Sequence, residues 1–302
     1  MSGIRTLVTG STGMIGEPLL KSLRDHSLEA HGVSRTATTN SLSHCADLSD
    51  PGQTAGVIAR VNPSVILHLA GGQDRNIGRL YEANVLTTVN VLQAAARLKS
   101  PPAVIAVGSA AEYGDPCGGI ASESSPARPV TEYGRAKLAA STLARVISDA
   151  SGIRLCIVRP FNIVSPHLPS TTALGNMRQQ LKEQTGKHRV VRCGRLDIVR
   201  DFVPVHFVVD VLSRLLDSKE WPRILNVCSG TGIELGSILR AMAACLDADV
   251  RVVVAPELVD IPAAAQIIGD ATLLHKLGLW CKPTASSLAR LMIEENALSS
   301  AI

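Results

Sequence analysis

Aromatic side chains are scarce in this chain: Phe, Trp and Tyr make up 3% of its 302 residues. A core with few rings is built from Val, Ile, Leu and Ala, which favours helix-covered parallel strands over an aromatic-rich sandwich. No Cys-x-x-Cys pair occurs among the seven cysteines, so no metal is expected, and free thiols in a reducing compartment are. Lysine and arginine form no long run and the net charge is only +4, which argues against nucleic acid as a partner. No apolar stretch is long enough to cross a bilayer, and residues 1–8 carry no signal-peptide pattern. The expectation is a cytoplasmic protein, with no membrane partner, that acts on a small molecule.

What is present is an alternation. Short apolar runs at 5–9, 28–34, 65–69, 103–108 and 154–159 alternate with helical patterns at 13–24, 52–60, 77–98 and 132–150. Strand followed by helix, repeated, predicts right-handed βαβ units and one parallel sheet. The fold class read from this is α/β, a Rossmann-type doubly wound sheet. Residues 1–160 form the dinucleotide-binding domain, with returning segments at about 201–229 that include a late strand near 224–228. Residues 161–200 and 230–302 differ in composition, with Pro166, Pro169 and a short strand at 250–254. They are expected to form a smaller C-terminal lobe that binds substrate at the carboxyl edge of the sheet.

The first strand runs into Thr9-Gly10-Ser11-Thr12-Gly13-Met14-Ile15-Gly16. Gly10 allows the tight turn, Gly13 lets backbone approach a pyrophosphate, and Gly16 permits close helix packing. The free N–H groups of the following helix then face the phosphates. At the end of the second strand stand Ser34 and Arg35, where an NAD-selective site carries an acid. Arginine suits a 2′-phosphate, so NADPH is the expected cofactor and NADH the alternative. An ordinary exposed arginine at a strand end would look the same.

Tyr133 and Lys137 are four residues apart, one helical turn, so the phenol and the ammonium share a helix face. A fixed positive charge beside a phenol lowers its pKa from about 10, and a tuned phenol can protonate a carbonyl oxygen as hydride arrives. Ser109 ends the strand at 103–108, so its hydroxyl is expected at the cleft. Tyr113 reads as packing, His68 as a partner of backbone groups, and Glu112 is open between surface and cleft.

In these residues the chain resembles the extended short-chain dehydrogenase/reductases. The matching pieces are the glycine turn, Asp47-Leu48, His68-Leu69-Ala70-Gly71, the serine strand end, Tyr133-x-x-x-Lys137, Arg159-Pro160-Phe161-Asn162, Arg200-Asp201-Phe202-Val203 and Asn226-Val227-Cys228-Ser229-Gly230. Within that family it is most similar to the GDP-4-keto-6-deoxy-mannose reductases. The resemblance implies that Tyr133 is the acid, that Lys137 lowers its pKa and holds the nicotinamide ribose, and that Ser109 orients the carbonyl. It implies a cofactor bordered by Thr12, Met14, Ile15, Asp47, Leu48, Leu69, Ala70, Gly71 and Pro160, with Asn84 holding the lysine through water. Ala110, Ala111, Asn162 and Arg200 would touch substrate. It also implies a homodimer through the helices at 77–98 and 132–150. Ala139, Ala140 and Ala144 would let helices approach, though an alanine face packed on its own sheet would look the same.

Two departures narrow the function. Dehydratases of this family carry an Asp-Glu pair where this chain has Ala110 and Ala111, which disfavours water elimination. The second arginine that holds a substrate diphosphate is absent from Glu257-Leu258-Val259-Asp260-Ile261-Pro262. An NADPH-dependent ketoreductase is therefore expected, acting on a 4-keto-6-deoxy nucleotide sugar or on a secondary-metabolite ketone of the polyketide type, as in antibiotic biosynthesis. The alternatives are a nucleotide-sugar 4-epimerase with tightly bound NAD and a non-catalytic dinucleotide sensor.

Overall fold

The computed structural model describes residues 4–36, 40–259 and 264–294. They divide into two compact units, the first made of 1–114, 126–160 and 208–226, the second of 115–125, 161–207 and 227–302.

The first unit is built on a seven-stranded sheet. Its strands are β1 (Arg5–Thr9), β2 (Glu29–Ser34), β3 (Ser43–Cys45), β4 (Val65–His68), β5 (Ala103–Val107), β6 (Leu155–Pro160) and β7 (Ile224–Val227), in spatial order β7-β6-β5-β4-β1-β2-β3. The pairs β1–β2, β1–β4, β2–β3, β4–β5 and β5–β6 are all parallel. The order reverses between β1 and β4, which is where a doubly wound sheet opens a crevice at its carboxyl edge. Every residue of β4 is buried, as expected of a strand covered on both faces. The sequence pattern places β1 at its observed bounds. It misses β3, a short polar strand at the sheet edge.

The helices start where local chemistry tells them to. Helix α1 (Gly16–Asp25) follows the glycine turn. Helix α2 (Pro51–Val61) is capped by Asp50, whose carboxylate accepts the N–H groups of Gly52 and Gln53, and it ends on Asn62 in a left-handed conformation. Residues 77–98, expected as one helix, are α3 (Ile77–Tyr81), a π turn (Glu82–Leu86) and α4 (Thr87–Ala96). The reason is side-chain competition for carbonyls. The amide of Asn84 donates to Leu80 O, and the hydroxyls of Thr87 and Thr88 donate to Ala83 O and Asn84 O. Helix α5 (Glu132–Ser151) is capped by Thr131 and stopped by Gly152 at φ 71°. Its buried face is Gly134, Ala136, Lys137, Ala140, Ser141, Ala144 and Ser148. Ala140 and Ala144 therefore pack inside their own unit, not toward a second copy.

The second unit holds a small mixed sheet in the order Gly232–Glu234, Val199–Pro204, Gln266–Gly269, Ile120–Ala121, with Asn162–Val164 also paired to Val199–Pro204. A separate parallel pair joins His188–Cys193 and Asp249–Val254. The fully buried Asp201 accepts from Ser229 N and Oγ, Gly230 N and Gly269 N, so its carboxylate ties three segments together. Among the described residues no helix is long and apolar enough to cross a membrane.

Candidate active site

The carboxyl ends of β1, β4 and β5 bring the glycine turn, the loop after His68 and Ser109 to one edge of the first unit's sheet. In the turn, Gly10 takes φ +64°, and a Cβ there would lie 2.9 Å from Ala70 N. A Cβ on Gly16 would come within 2.2 Å of Gly10 O, so α1 starts in contact with the strand end. Ile15, at the N-cap position, makes no side-chain cap. In the first turn, however, Glu17 N–H is given to Gly13 O at 3.0 Å and Pro18 has no N–H. Thr12 and Gly13 are exposed, and Met14 and Ile15 half-buried. Three close-packed glycines with Thr12 and Gly13 exposed fit the close approach of a dinucleotide pyrophosphate.

Ser34 ends β2 with its hydroxyl donated to Thr36 O, and Arg35 is exposed. Asp47 is exposed and accepts from Ser49 N and Oγ. Leu48 is buried, and its carbonyl accepts from Thr54 Oγ1 and Asn90 Nδ2.

The loop 69–72 is fixed by a hydrogen-bond chain whose directions can be worked out. Thr88 gives its only hydroxyl proton to Asn84 O at 2.6 Å, so it must accept from His68 Nε2 at 3.0 Å. His68 Nδ1 is then an acceptor, and Thr9 Oγ1 donates to it at 2.8 Å. The Thr9 oxygen in turn accepts the N–H groups of Leu69 and Ala70. His68 is thus bonded to two hydroxyls, a correction to the expected backbone partners. Burial, with the nearby Lys137 charge, pushes its imidazole down to about 3. Asn84 completes the clamp: its amide donates to Gly72 O and its carbonyl accepts Gly72 N–H. A Cβ on Gly71 would sit 2.7 Å from Asn84 Oδ1 and 3.6 Å from Lys137 Nζ, so Gly71 lies against both.

The neutral His68 has a consequence for stability. The unfolded chain binds a proton at this histidine near pH 6.5, the folded one only near 3. Stability is therefore full above pH 6.5 and falls as pH drops toward 3, by at most about 1.4 kcal/mol per pH unit for one proton. Urea unfolding at a series of pH values is expected to show this slope in the wild type and not in His68→Gln.

The structure sets Ser109 beside Tyr133, with Lys137 one turn further along α5. The Ser109 side chain hydrogen-bonds Tyr133 and also accepts Ala111 N–H at 3.1 Å. Lys137 is buried and donates to Val107 O at 2.6 Å. Burial lowers the lysine to about 8, opposed by the Glu112 charge. Tyr133 departs from expectation. Burial pushes its phenol above the ordinary value, the Ser109 hydrogen bond opposes this, and the Glu112 charge adds to the rise. Desolvation is the largest of these effects, so the group is a protonated donor at neutral pH.

Glu112 is the residue that sequence reading left undecided. It is fully buried and ion-paired to Arg159 at 2.7 Å. Ala110 and Ala111 bring no acid to the site, and the one carboxylate of the segment is taken by arginine. Tyr113 is a packing residue, as expected, with its hydroxyl donating to Asn226 Oδ1 at 2.7 Å. A Cβ on Gly108 would meet Glu112 Oε1 at 2.3 Å, a crowding that appears only once the chain is folded.

Pro160 closes β6 and is buried. Asn162 and Arg200 belong to the second unit. Asn162 donates to Asp201 O, and Arg200 donates to the carbonyls of Val199, Ala264 and Ala265. Asp260, Ile261 and Pro262 lie outside the described residues. Among the described residues no cluster of His, Cys, Asp and Glu is arranged to hold a metal ion.

Comparison with known proteins identifies the family. Residues 6–228 match the model of the NAD dependent epimerase/dehydratase family. A dTDP-6-deoxy-L-talose 4-dehydrogenase (NAD(P)(+)) of Kitasatospora kifunensis is 30% identical over 236 residues, 75% of this chain and 74% of that protein. A GDP-6-deoxy-D-mannose reductase of Pseudomonas aeruginosa is 26% identical over 289 residues, 91% of each. In fold, the structure of Thermus thermophilus UDP-glucose 4-epimerase in complex with NAD superposes with a TM-score of 0.83 at 22% identity, covering 99% of this chain and 100% of that one. The chain belongs to the NAD-dependent epimerase/dehydratase family, within the extended short-chain dehydrogenase/reductases.

Proposed function

We propose that the protein is an NADPH-dependent ketoreductase that reduces the C4 ketone of a 6-deoxy nucleotide sugar to a secondary alcohol. The observation that carries this reading is the Tyr133 phenol beside the Ser109 hydroxyl, which acts on it directly, with burial holding the phenol above its ordinary value. A proton donor beside a hydroxyl that can hold a carbonyl is what the reducing direction requires. The names of the relatives support the substrate class, since they act on 6-deoxy nucleotide sugars.

The residues that would hold the cofactor are the Gly10–Gly16 turn for the pyrophosphate, Ser34 and Arg35 for the 2′-phosphate, and Asp47 and Leu48 for the adenine. The 69–71 loop, Asn84, Lys137 and Pro160 would border the nicotinamide half. Bound there, the reduced nicotinamide supplies hydride to the carbonyl carbon. Ser109 orients the carbonyl oxygen, and Tyr133 gives its proton to that oxygen. The Lys137 ammonium, one turn along α5, stabilises the phenolate left behind. With alanine at 110 and 111, no acid/base pair serves elimination of water. We assign substrate binding to the second unit, through Arg200 and Asn162.

Ile77, Leu86, Leu143 and Val146, on α3, the π turn and α5, are 57%, 43%, 38% and 59% exposed. This apolar stripe supports a homodimer, and sedimentation of the purified protein as a monomer would refute it. Free thiols at all seven cysteines support a cytoplasmic location.

The deciding assay mixes the protein with NADPH or NADH and a GDP- or dTDP-linked 4-keto-6-deoxy hexose, and follows loss of the reduced cofactor. Turnover that favours NADPH is expected. Arg35→Ala should lower NADPH affinity about tenfold, the loss of a charge-assisted contact, and leave NADH binding unchanged. Turnover of an aromatic polyketide ketone instead would move the enzyme to secondary metabolism. The second reading, a 4-epimerase, is favoured by the family itself, because Ser109, Tyr133 and Lys137 serve oxidation as well as reduction. Stoichiometric NAD in freshly purified protein, with no net cofactor consumption, would establish it. Tight NADPH binding without turnover of either ketone class would leave a dinucleotide sensor.

A further inference from the structure

The proposed reaction makes no use of Glu112, yet this carboxylate lies beneath the reacting hydroxyls with all its bonds directed. Its Oε1 accepts Ser109 N–H at 3.0 Å and Ser141 Oγ–H at 3.0 Å. Its Oε2 accepts Arg159 Nε at 2.9 Å and Nη2 at 2.7 Å. Arg159 is itself buried, and its guanidinium lies 4.6 Å above the Tyr113 ring. Three elements meet at this one side chain: the turn after β5 that carries Ser109, helix α5 through Ser141, and β6 through Arg159. Tyr133, Lys137 and Ser141 follow one another at intervals of four along α5, so they share one side of it, with Lys137 and Ser141 buried and Tyr133 half-buried. The carboxylate thus joins the segment that carries the reacting serine to the helix face that carries the reacting tyrosine.

We propose that Glu112 is a positioning residue, which sets the Ser109 hydroxyl against the Tyr133 phenol by bridging Ser109 N–H to Ser141 and Arg159. The proposal rests on the ketoreductase reading for its catalytic consequence. The bond to Ser109 N–H closes a capping box on the turn Ala110–Glu112, but a cap needs neither Ser141 nor Arg159, and a buried pair is an inefficient way to gain stability. A site, in contrast, needs its reacting atoms held to a fraction of an ångström. Gly108 fits this role, because any side chain there would displace Oε1. The Glu112 charge also acts on both neighbours on α5, holding up Tyr133 and Lys137. The ionisable groups that face this cluster are Arg159 from β6, Lys137 and Tyr133 from α5, Tyr113 from its own turn and His68 from β4.

The test uses the full-length protein in two variants. Glu112→Gln removes the charge, and Ser141→Ala removes one anchor with the charge kept. Turnover and KM are measured with the 4-keto sugar, and NADPH affinity by fluorescence. The chain has three tyrosines, so fluorine NMR of protein labelled with 3-fluorotyrosine resolves the Tyr133 titration, assigned with Tyr133→Phe. For Glu112→Gln, kcat is expected to fall about 100-fold, as for a reacting group displaced by about 1 Å. KM and NADPH affinity should stay within about twofold, and Tyr133 should ionise at lower pH. For Ser141→Ala, kcat should fall about tenfold without moving the titration, and Ser141→Thr should restore it. Unchanged kcat in both variants, or a loss that only tracks the folded fraction by circular dichroism, overturns the proposal. If Glu112→Gln does not fold, the Ser141 pair decides by the same criteria. If the wild type reduces no ketone, the functional reading fails, and the fluorine titration alone decides: an unmoved Tyr133 in Glu112→Gln overturns the coupling and a lowered one sustains it.

Discussion

Replacing Tyr133 with Phe is expected to lower ketone turnover by about three orders of magnitude, while NADPH affinity stays close to the wild type. The change removes a single oxygen. Helix α5 keeps its cap at Thr131 and its buried face, and Lys137 keeps its bond to Val107 O. What disappears is the phenol proton beside Ser109, which the proposed reaction uses. Steady-state kinetics with cofactor titration would check this, and a variant with near-normal kcat would remove Tyr133 from the reaction. The loss should fall in kcat and in kcat/KM alike, since the proton moves only in the transition state.

The second large effect is expected at Gly16. In Gly16→Ala the new methyl would fall 2.2 Å from Gly10 O and 2.9 Å from the Ser11 Cα. Both are backbone atoms, so neither can swing aside. The start of α1 must move off the strand end, and overpacking of this kind costs about 3 kcal/mol. The turn that would hold the pyrophosphate is displaced at the same time. Thermal unfolding with and without NADPH separates the two effects. The wild type should gain about 2.7 kcal/mol at a hundredfold excess of ligand over its dissociation constant, and the variant none. A variant that melts like the wild type and keeps the ligand shift would show that the turn yields without cost.

Both predictions concern residues that were legible in the sequence, and the reason is locality. The glycine turn, the Asp50 and Thr131 caps and the Tyr133–Lys137 spacing each act within a few residues, so the pattern alone carries them. Strand β1 and helix α5 follow directly. What stayed hidden is set across the chain. The π turn at Glu82–Leu86 arises from Asn84, which divides its amide between Leu80 and the distant Gly72. Glu112 finds Arg159 47 residues away, and nothing near either residue announces the pair. The phenol of Tyr133 was expected below its ordinary value because a lysine stands one turn away, but it lies above because the fold buries it. Charge spacing can be read from a sequence, whereas desolvation is a property of the assembled unit.

The chain of hydroxyls behind Lys137 also decides where protons cannot go. Running from Asn84 O through Thr88, His68 and Thr9 to the amides of Leu69 and Ala70, it starts and ends on peptide groups. Peptide groups neither release nor take up protons in the range where an enzyme works. A wire closed at both ends is an insulator. In the proposed reaction the proton that leaves Tyr133 would therefore not be replaced through this chain.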